Sequence, residues 1–269
     1  MNEMKGNSMA VFNSNDIYPV SADSELPFEQ HRDIFHLTGI DQEETILLLY
    51  PPSKDDKTRE ILFIRKSDNH TKVWEGEKLS KNQANELSGI DSIYFIDDFK
   101  DILSSIATKV DTFYINKNEH YRANSPVETR EDRFISWLLK KYPAHNVAKS
   151  NPILQRQRSI KHPDEIDQIK KACNITRKGF NRVLEFIKPN VWEYEIEAEF
   201  IHEFINSSSK GFAYSPIIAS GNDNNVLHYI KNNKQCKSGE LILMDVGAEY
   251  GNYSSDMTRT VPVLSLIHI

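Results

Sequence analysis

Short apolar runs rich in β-branched and aromatic residues punctuate the first half of the chain. They are Ala10-Val11-Phe12, Thr45 to Tyr50, Glu60 to Ile64, Ser92 to Ile96 and Thr112 to Ile115. Each has the length and composition of a strand. Helical patterning lies between or after them, at Lys81 to Leu87, Phe99 to Thr108 and Glu131 to Lys141. This mixture predicts an α/β domain with a mixed sheet over residues 1–150. The polar stretch from Tyr142 to Lys161, with Pro143 and Pro152, reads as a connection between domains.

The pattern then turns helical. His162-Pro163-Asp164-Glu165 places proline in a first turn and acids near the positive helix end. Ile166, Ile169, Ala172, Ile175, Val183 and Leu184 follow at mostly helical spacing, and Pro189 marks the end. A second helix is predicted from Trp192 to Asn206, with Ile196, Phe200 and Phe204 at i+4 intervals. Both stripes read as core.

Further on, the apolar run Leu241 to Met244 predicts a buried strand that runs directly into Asp245. An ionised carboxylate there needs a partner, a hydrogen bond or a metal. Gly251-Asn252 is a two-residue hairpin loop, and centring the turn on it pairs Tyr250 with Tyr253, Gly247 with Asp256 and Asp245 with Thr258. Asp245 and Asp256 then share one face as diagonal neighbours, with backbones roughly 7–8 Å apart. Gly247 is expected to leave room between them. Two bare carboxylates so close repel each other, and one divalent cation or a pair of them about 3.5–4 Å apart removes the repulsion. Oxygen ligands favour hard or borderline ions. The competing reading is a surface hairpin with two solvated acids.

Composition narrows the classes. A chain of 269 residues holds two modest domains or one large one, and its apolar and charged fractions of 39% and 27% are those of a globular protein. A net charge of −6 without a Lys/Arg-dense stripe argues against nucleic acid. No apolar run reaches the ~20 residues that span a membrane. The first residues lack an apolar signal core, and only two cysteines, Cys173 and Cys236, are present. A cytoplasmic protein without a disulfide framework is therefore expected.

Three blocks of sequence resemble the aminopeptidase P/prolidase family of "pita-bread" metallopeptidases. Met244-Asp245-Val246-Gly247, followed by Ser255-Asp256-Met257-Thr258-Arg259-Thr260-Val261-Pro262, is similar to the segment carrying that family's first two metal ligands. Pro216 to Gly221 and Asn225-Val226-Leu227-His228-Tyr229 resemble its substrate-side loop and histidine. In the first half, Pro27-Phe28-Glu29-Gln30, Asp33 to Gly39 and Trp74-Glu75-Gly76 resemble motifs of its N-terminal domain, with Glu29 where a basic residue is common.

The resemblance implies a fold of an N-terminal α/β domain with a mixed sheet, then the first half of an α+β pita-bread domain over residues 151–263. It implies an enzyme that releases an N-terminal residue preceding proline, using two divalent ions. Manganese is the usual ion, with Co²⁺, Zn²⁺ and Mg²⁺ as alternatives. Asp245 matches a ligand of one ion and Asp256 a ligand bridging both, with a hydroxide held between the metals as nucleophile. His228 matches a histidine that contacts substrate and helps stabilise the tetrahedral intermediate. Thr258, on the ligand face, is a candidate to support a metal-bound carboxylate, and Arg259 to pin the hairpin by charged hydrogen bonds. The N-terminal domain in that family builds a dimer or tetramer and lids the active site. Asp33 and Trp74 are candidate substrate contacts there, with an ordinary structural role as the competing reading.

The family's remaining ligands, a histidine and two glutamates, follow the hairpin. Here Leu264 to Ile269 does not resemble the family and matches the peptide that a transposon-type sequencing adapter encodes. Residues 264–269 are accordingly expected to be an artefact, and His268 is not a ligand candidate. Alone, the 269-residue chain is expected to bind metal weakly and to lack peptidase activity. Prolidase, acting on Xaa-Pro dipeptides, and a catalytically inactive pita-bread binding module are the alternative functions.

Overall fold

The computed structural model describes residues 1–118, 120 and 126–264. The chain divides into two compact units, Met1–Ile160 and Lys161–Ile269. The elements of the first are β1 (Ser8–Asn13), β2 (Pro19–Ser21), β3 (Ser24–Glu25), α1 (Arg32–Thr38), β4 (Ile46–Leu49), α2 (Asp56–Arg59), β5 (Glu60–Ile64) and α3 (Asn69–Trp74). There follow α4 (Lys81–Ser88), β6 (Ser92–Phe95), α5 (Phe99–Ala107), β7 (Thr112–Ile115), α6 (Arg130–Lys141), β8 (Asn146–Lys149) and α7 (Asn151–Ser159).

Six strands form one sheet in the order β6-β5-β4-β1-β7-β8. It is mixed: β4 pairs antiparallel with β1 and β5, whereas β6, β7 and β8 join in parallel. Alternate residues of the central strands enter two different cores. Met9, Val11, Leu48 and Phe63 pack with Phe99 and Leu103 of α5 and Leu138 of α6. Phe12, Leu47, Leu62 and Ile64 pack with Ile34 of α1, Ala84 of α4 and Leu154 of α7. Coverage on both faces explains why these strands read as unbroken apolar runs.

The segment from Tyr142 to Lys161, expected as a connection, is instead structured. It contains β8, paired with β7, and α7, whose buried Leu154 ties it to the first unit. Pro152 stands in the first turn of α7, where proline starts a helix instead of breaking it.

The second unit consists of α8 (Pro163–Phe186), α9 (Glu193–Asn206), β9 (Ile217–Ser220), β10 (Leu241–Val246), β11 (Glu249–Tyr250), β12 (Tyr253–Ser254) and β13 (Met257–Pro262). A three-stranded sheet, β13-β10-β9, lays one face on the two helices. Ile196, Phe200 and Phe204 are fully buried, as their spacing predicts. In α8 the stripe is displaced: Ile166 and Leu184 are exposed, and Thr176, Gly179 and Phe180 take the buried positions. Gly179 is there because the rings of Phe200 and Phe204 lie against it; an added methyl carbon would stand 2.8 Å from each. Among the described residues no helix is long and apolar enough to cross a membrane. Residues 265–269, including His268, lie outside the described residues.

Candidate metal and substrate site

The hairpin adopts the register that its turn dictates. Gly251 and Asn252 both have positive φ, +57° and +66°, the two-residue turn whose twist matches flanking strands. Tyr250 pairs with Tyr253, and farther down Asp245 pairs with Thr258. Between the two ladders the chain bends. Ser255 N–H donates to Ala248 O (3.0 Å), and Ala248 N–H donates to Thr176 Oγ1 (2.9 Å) and Ser255 Oγ (3.0 Å). The Thr176 and Ser255 hydroxyls are themselves 2.6 Å apart, so α8 anchors the residue immediately before Asp256.

Two expectations are corrected here. Gly247 does not open a space for a ligand, because a methyl carbon on it would stand 1.9 Å from Ser255 O and 3.1 Å from the Tyr214 ring. Glycine is needed because the two strands cross in near contact. Nor is β10 buried on both faces. Ile242, Met244 and Val246 are buried, while Leu241, Leu243 and Asp245 occupy the more open side. Asp245 is therefore half-buried at a sheet surface, and Asp256 is exposed.

The two aspartates converge on a group that the sequence reading missed. The Tyr214 hydroxyl lies 2.7 Å from Asp245 Oδ1 and 3.1 Å from Asp256 Oδ1, so one phenol donor is shared by two carboxylates. Burial, followed by these hydrogen bonds, pushes the phenol's ionisation well above its ordinary value, so Tyr214 stays protonated and keeps its donor. Among the described residues no lysine, arginine or histidine forms an ion pair with either aspartate. The acids thus present several unfilled lone pairs on one side. That donor set fits one side of a hard divalent cation's coordination shell. Among the described residues no group of three or more His, Cys, Asp or Glu is placed to hold a metal.

The other predicted residues are dispersed. Thr258 is exposed opposite Asp245 and makes no hydrogen bond to it; Tyr214 fills that role. Arg259 is exposed, and its guanidinium donates to the neighbouring Thr258 O (2.7 Å). His228 lies exposed in a turn within the excursion between β9 and β10, and no hydrogen bond joins it to the aspartates. Asp33 is buried in the first unit, where it accepts from Arg158 (2.7 Å) and Asn116 (3.0 Å) and so ties α1 to α7 and to the end of β7. Trp74 ends α3 with 76% of its surface exposed. Beside it, Glu75 makes a two-pronged pair with Arg65 (2.6 and 2.7 Å). Cys173 and Cys236 are both free thiols.

Comparisons with known proteins agree with this layout. Residues 1–114 match the aminopeptidase P N-terminal domain, and residues 167–266 match metallopeptidase family M24. The Xaa-Pro aminopeptidase of Escherichia coli (strain K12) is 30% identical over 249 residues, covering 90% of this chain and 55% of its own. Human Xaa-Pro aminopeptidase 3 is 30% identical over 253 residues, covering 93% of this chain and 49% of its own. Among solved structures, zinc-substituted E. coli aminopeptidase P in complex with product superposes with a TM-score of 0.85 at 29% identity, over 97% of this chain and 59% of that one. Aminopeptidase PepP of Pseudomonas aeruginosa gives 0.86 at 27% identity, with the same coverage of 97% and 59%. The chain spans about half the length of the curated relatives it matches.

Proposed function

Because this chain belongs to the aminopeptidase P family of M24 metallopeptidases, we propose that the whole protein removes the N-terminal residue from peptides whose second residue is proline. The observation that carries the reading is the convergence of Asp245, on β10, and Asp256, in the bend before β13, on a single phenol, with no cation paired to either among the described residues. Such an arrangement is costly in a protein that has no ligand for it, since like charges are brought together without compensation.

In this reading Asp245 and Asp256 hold two divalent ions from one side, manganese first among them. When bound, such ions supply a nucleophile at neutral pH and polarise the scissile carbonyl. Tyr214 keeps the two carboxylates at a fixed separation by donating to both. His228 presents an imidazole to the substrate, a ring that can hydrogen-bond through either nitrogen. With α7 packed into the first unit rather than the second, residues 1–160 form the N-terminal aminopeptidase P domain, through which the protein self-associates, and the second unit contributes the metal hairpin.

Two aspartates are too few to fill the shells of two ions. The 269-residue chain alone is therefore expected to bind manganese weakly and to leave peptides uncut. The test is release of the first residue from Xaa-Pro-Xaa tripeptides, compared with Xaa-Pro dipeptides, by the longer protein and by this chain. Tripeptide cleavage by the longer protein supports the reading. Cleavage confined to dipeptides turns it to prolidase, and robust cleavage by the 269-residue chain contradicts the incomplete ligand set.

A further inference from the structure

We propose that Glu193 is the positioning residue for His228, because one buried carboxylate gathers the start of the excursion, the residue after the imidazole and Lys234 beyond it. The proposal rests on the reading of His228 as the substrate-side histidine.

Glu193 opens α9 and has no exposed surface. In sequence it is one more acid in a helix's first turn, where the dipole welcomes it. In the fold it does more. Its Oε1 accepts from Ser220 N–H and Ser220 Oγ–H, both at 2.8 Å, where β9 ends and the excursion begins. Its Oε2 accepts from Lys234 N–H (3.0 Å), on the stretch that follows the His228 turn. The same oxygen accepts from the Tyr229 hydroxyl (2.7 Å), and Tyr229 is the residue after His228. Four donors thus saturate one carboxylate, which is what makes its burial tolerable.

The closure is reinforced around it. Glu193 N–H donates to Lys234 O (2.9 Å), and the Lys234 ammonium donates to Ser220 O (2.9 Å). Tyr229 stays protonated, its pKa pushed up to about 12 by burial and by the bond to Glu193. The flanking residues cannot anchor the turn by burial. Val226, Leu227 and Ile230 are exposed, Leu227 by 89%. The excursion is also pinned on either side of the turn, by Asn224, which bonds Leu241 O (3.0 Å) and Leu243 N–H (3.2 Å), and by buried Asn232, which bonds Ile218 N–H (3.0 Å) and Pro216 O (3.1 Å). Within the turn itself, the Tyr229 hydroxyl on Glu193 is the tether next to His228.

Tyr229→Phe removes the middle tether and leaves the base intact. Glu193→Gln is a more severe probe, because an amide nitrogen would face donors where an oxygen accepted. Both are examined in the 269-residue chain by hydrogen exchange of residues 222–231 and by the NMR line of the His228 ring, assigned with His228→Asn. Tyr229→Phe is expected to speed exchange in that segment about tenfold and to shift or broaden the His228 line. Exchange in α8 and the midpoint of thermal unfolding should stay as in the unaltered chain. If Glu193→Gln fails to fold, Tyr229→Phe decides alone. An unchanged His228 line and unchanged segment exchange would overturn the proposal, as would loosening spread evenly through α8 and α9. Failure of the functional reading is separable: His228→Ala in the longer enzyme would leave cleavage intact whatever the exchange data show.

Discussion

Two acidic centres of the second unit, within one small fold, are built on opposite principles. Glu193 is fully buried and receives four donors from its own chain. Asp245, on the open side of β10, and Asp256, in the bend before β13, share one phenol donor. A carboxylate saturated by its own protein has finished its coordination and acts only through the chain it holds in place. Two that are brought together and left unsaturated have a place for something from outside. Satisfaction of lone pairs, more than burial or charge, separates the saturated acid from the two proposed metal ligands.

The largest effect that would sharpen this contrast is at Glu193. Glu193→Ala strands two backbone N–H groups and two hydroxyls, and is expected to cost about 3 kcal/mol in urea unfolding of the second unit followed by hydrogen exchange. The aspartates should behave in the opposite way. Asp245→Asn and Asp256→Asn relieve repulsion and are expected to shift metal-free stability by no more than about 0.5 kcal/mol in the same experiment. A large loss there would make these acids structural and break the comparison.

Gly247→Ala comes next. Its methyl must displace the Ser255 carbonyl, 1.9 Å away, so a loss of about 2 kcal/mol is expected. Because the displaced backbone carries Asp256, manganese affinity should fall as well. Tyr214→Phe is milder than Gly247→Ala. It removes the donor shared by the aspartates, with an expected stability loss of about 0.5–1 kcal/mol and a drop of about tenfold in metal affinity by calorimetry.

Much of this was legible in the sequence, and the exceptions have physical causes. The pairing of Asp245 with Thr258 followed from the Gly251-Asn252 turn, because a two-residue loop fixes every pair along a hairpin. The strands of the first sheet were legible because helices cover both of its faces. β8 was missed because it is a polar edge strand, largely exposed along its length, so that neither alternation nor an apolar run marks it. β10 misled in the other direction, since Leu241 and Leu243 are apolar residues on its open side. Tyr214 and Glu193 were invisible for another reason. Tyr214 bonds residues 31 and 42 positions away, and Glu193 residues 27 to 41 away, separations that no local pattern encodes.

The most direct measurement of the central claim is manganese binding to the 269-residue chain, followed by electron paramagnetic resonance, with and without Asp245→Asn/Asp256→Asn. A weak but saturable signal of bound Mn²⁺ that disappears in the double variant, while the fold is retained, is the predicted result. Equal binding by both chains, or none by either at millimolar Mn²⁺, would contradict a divalent-ion site on this hairpin.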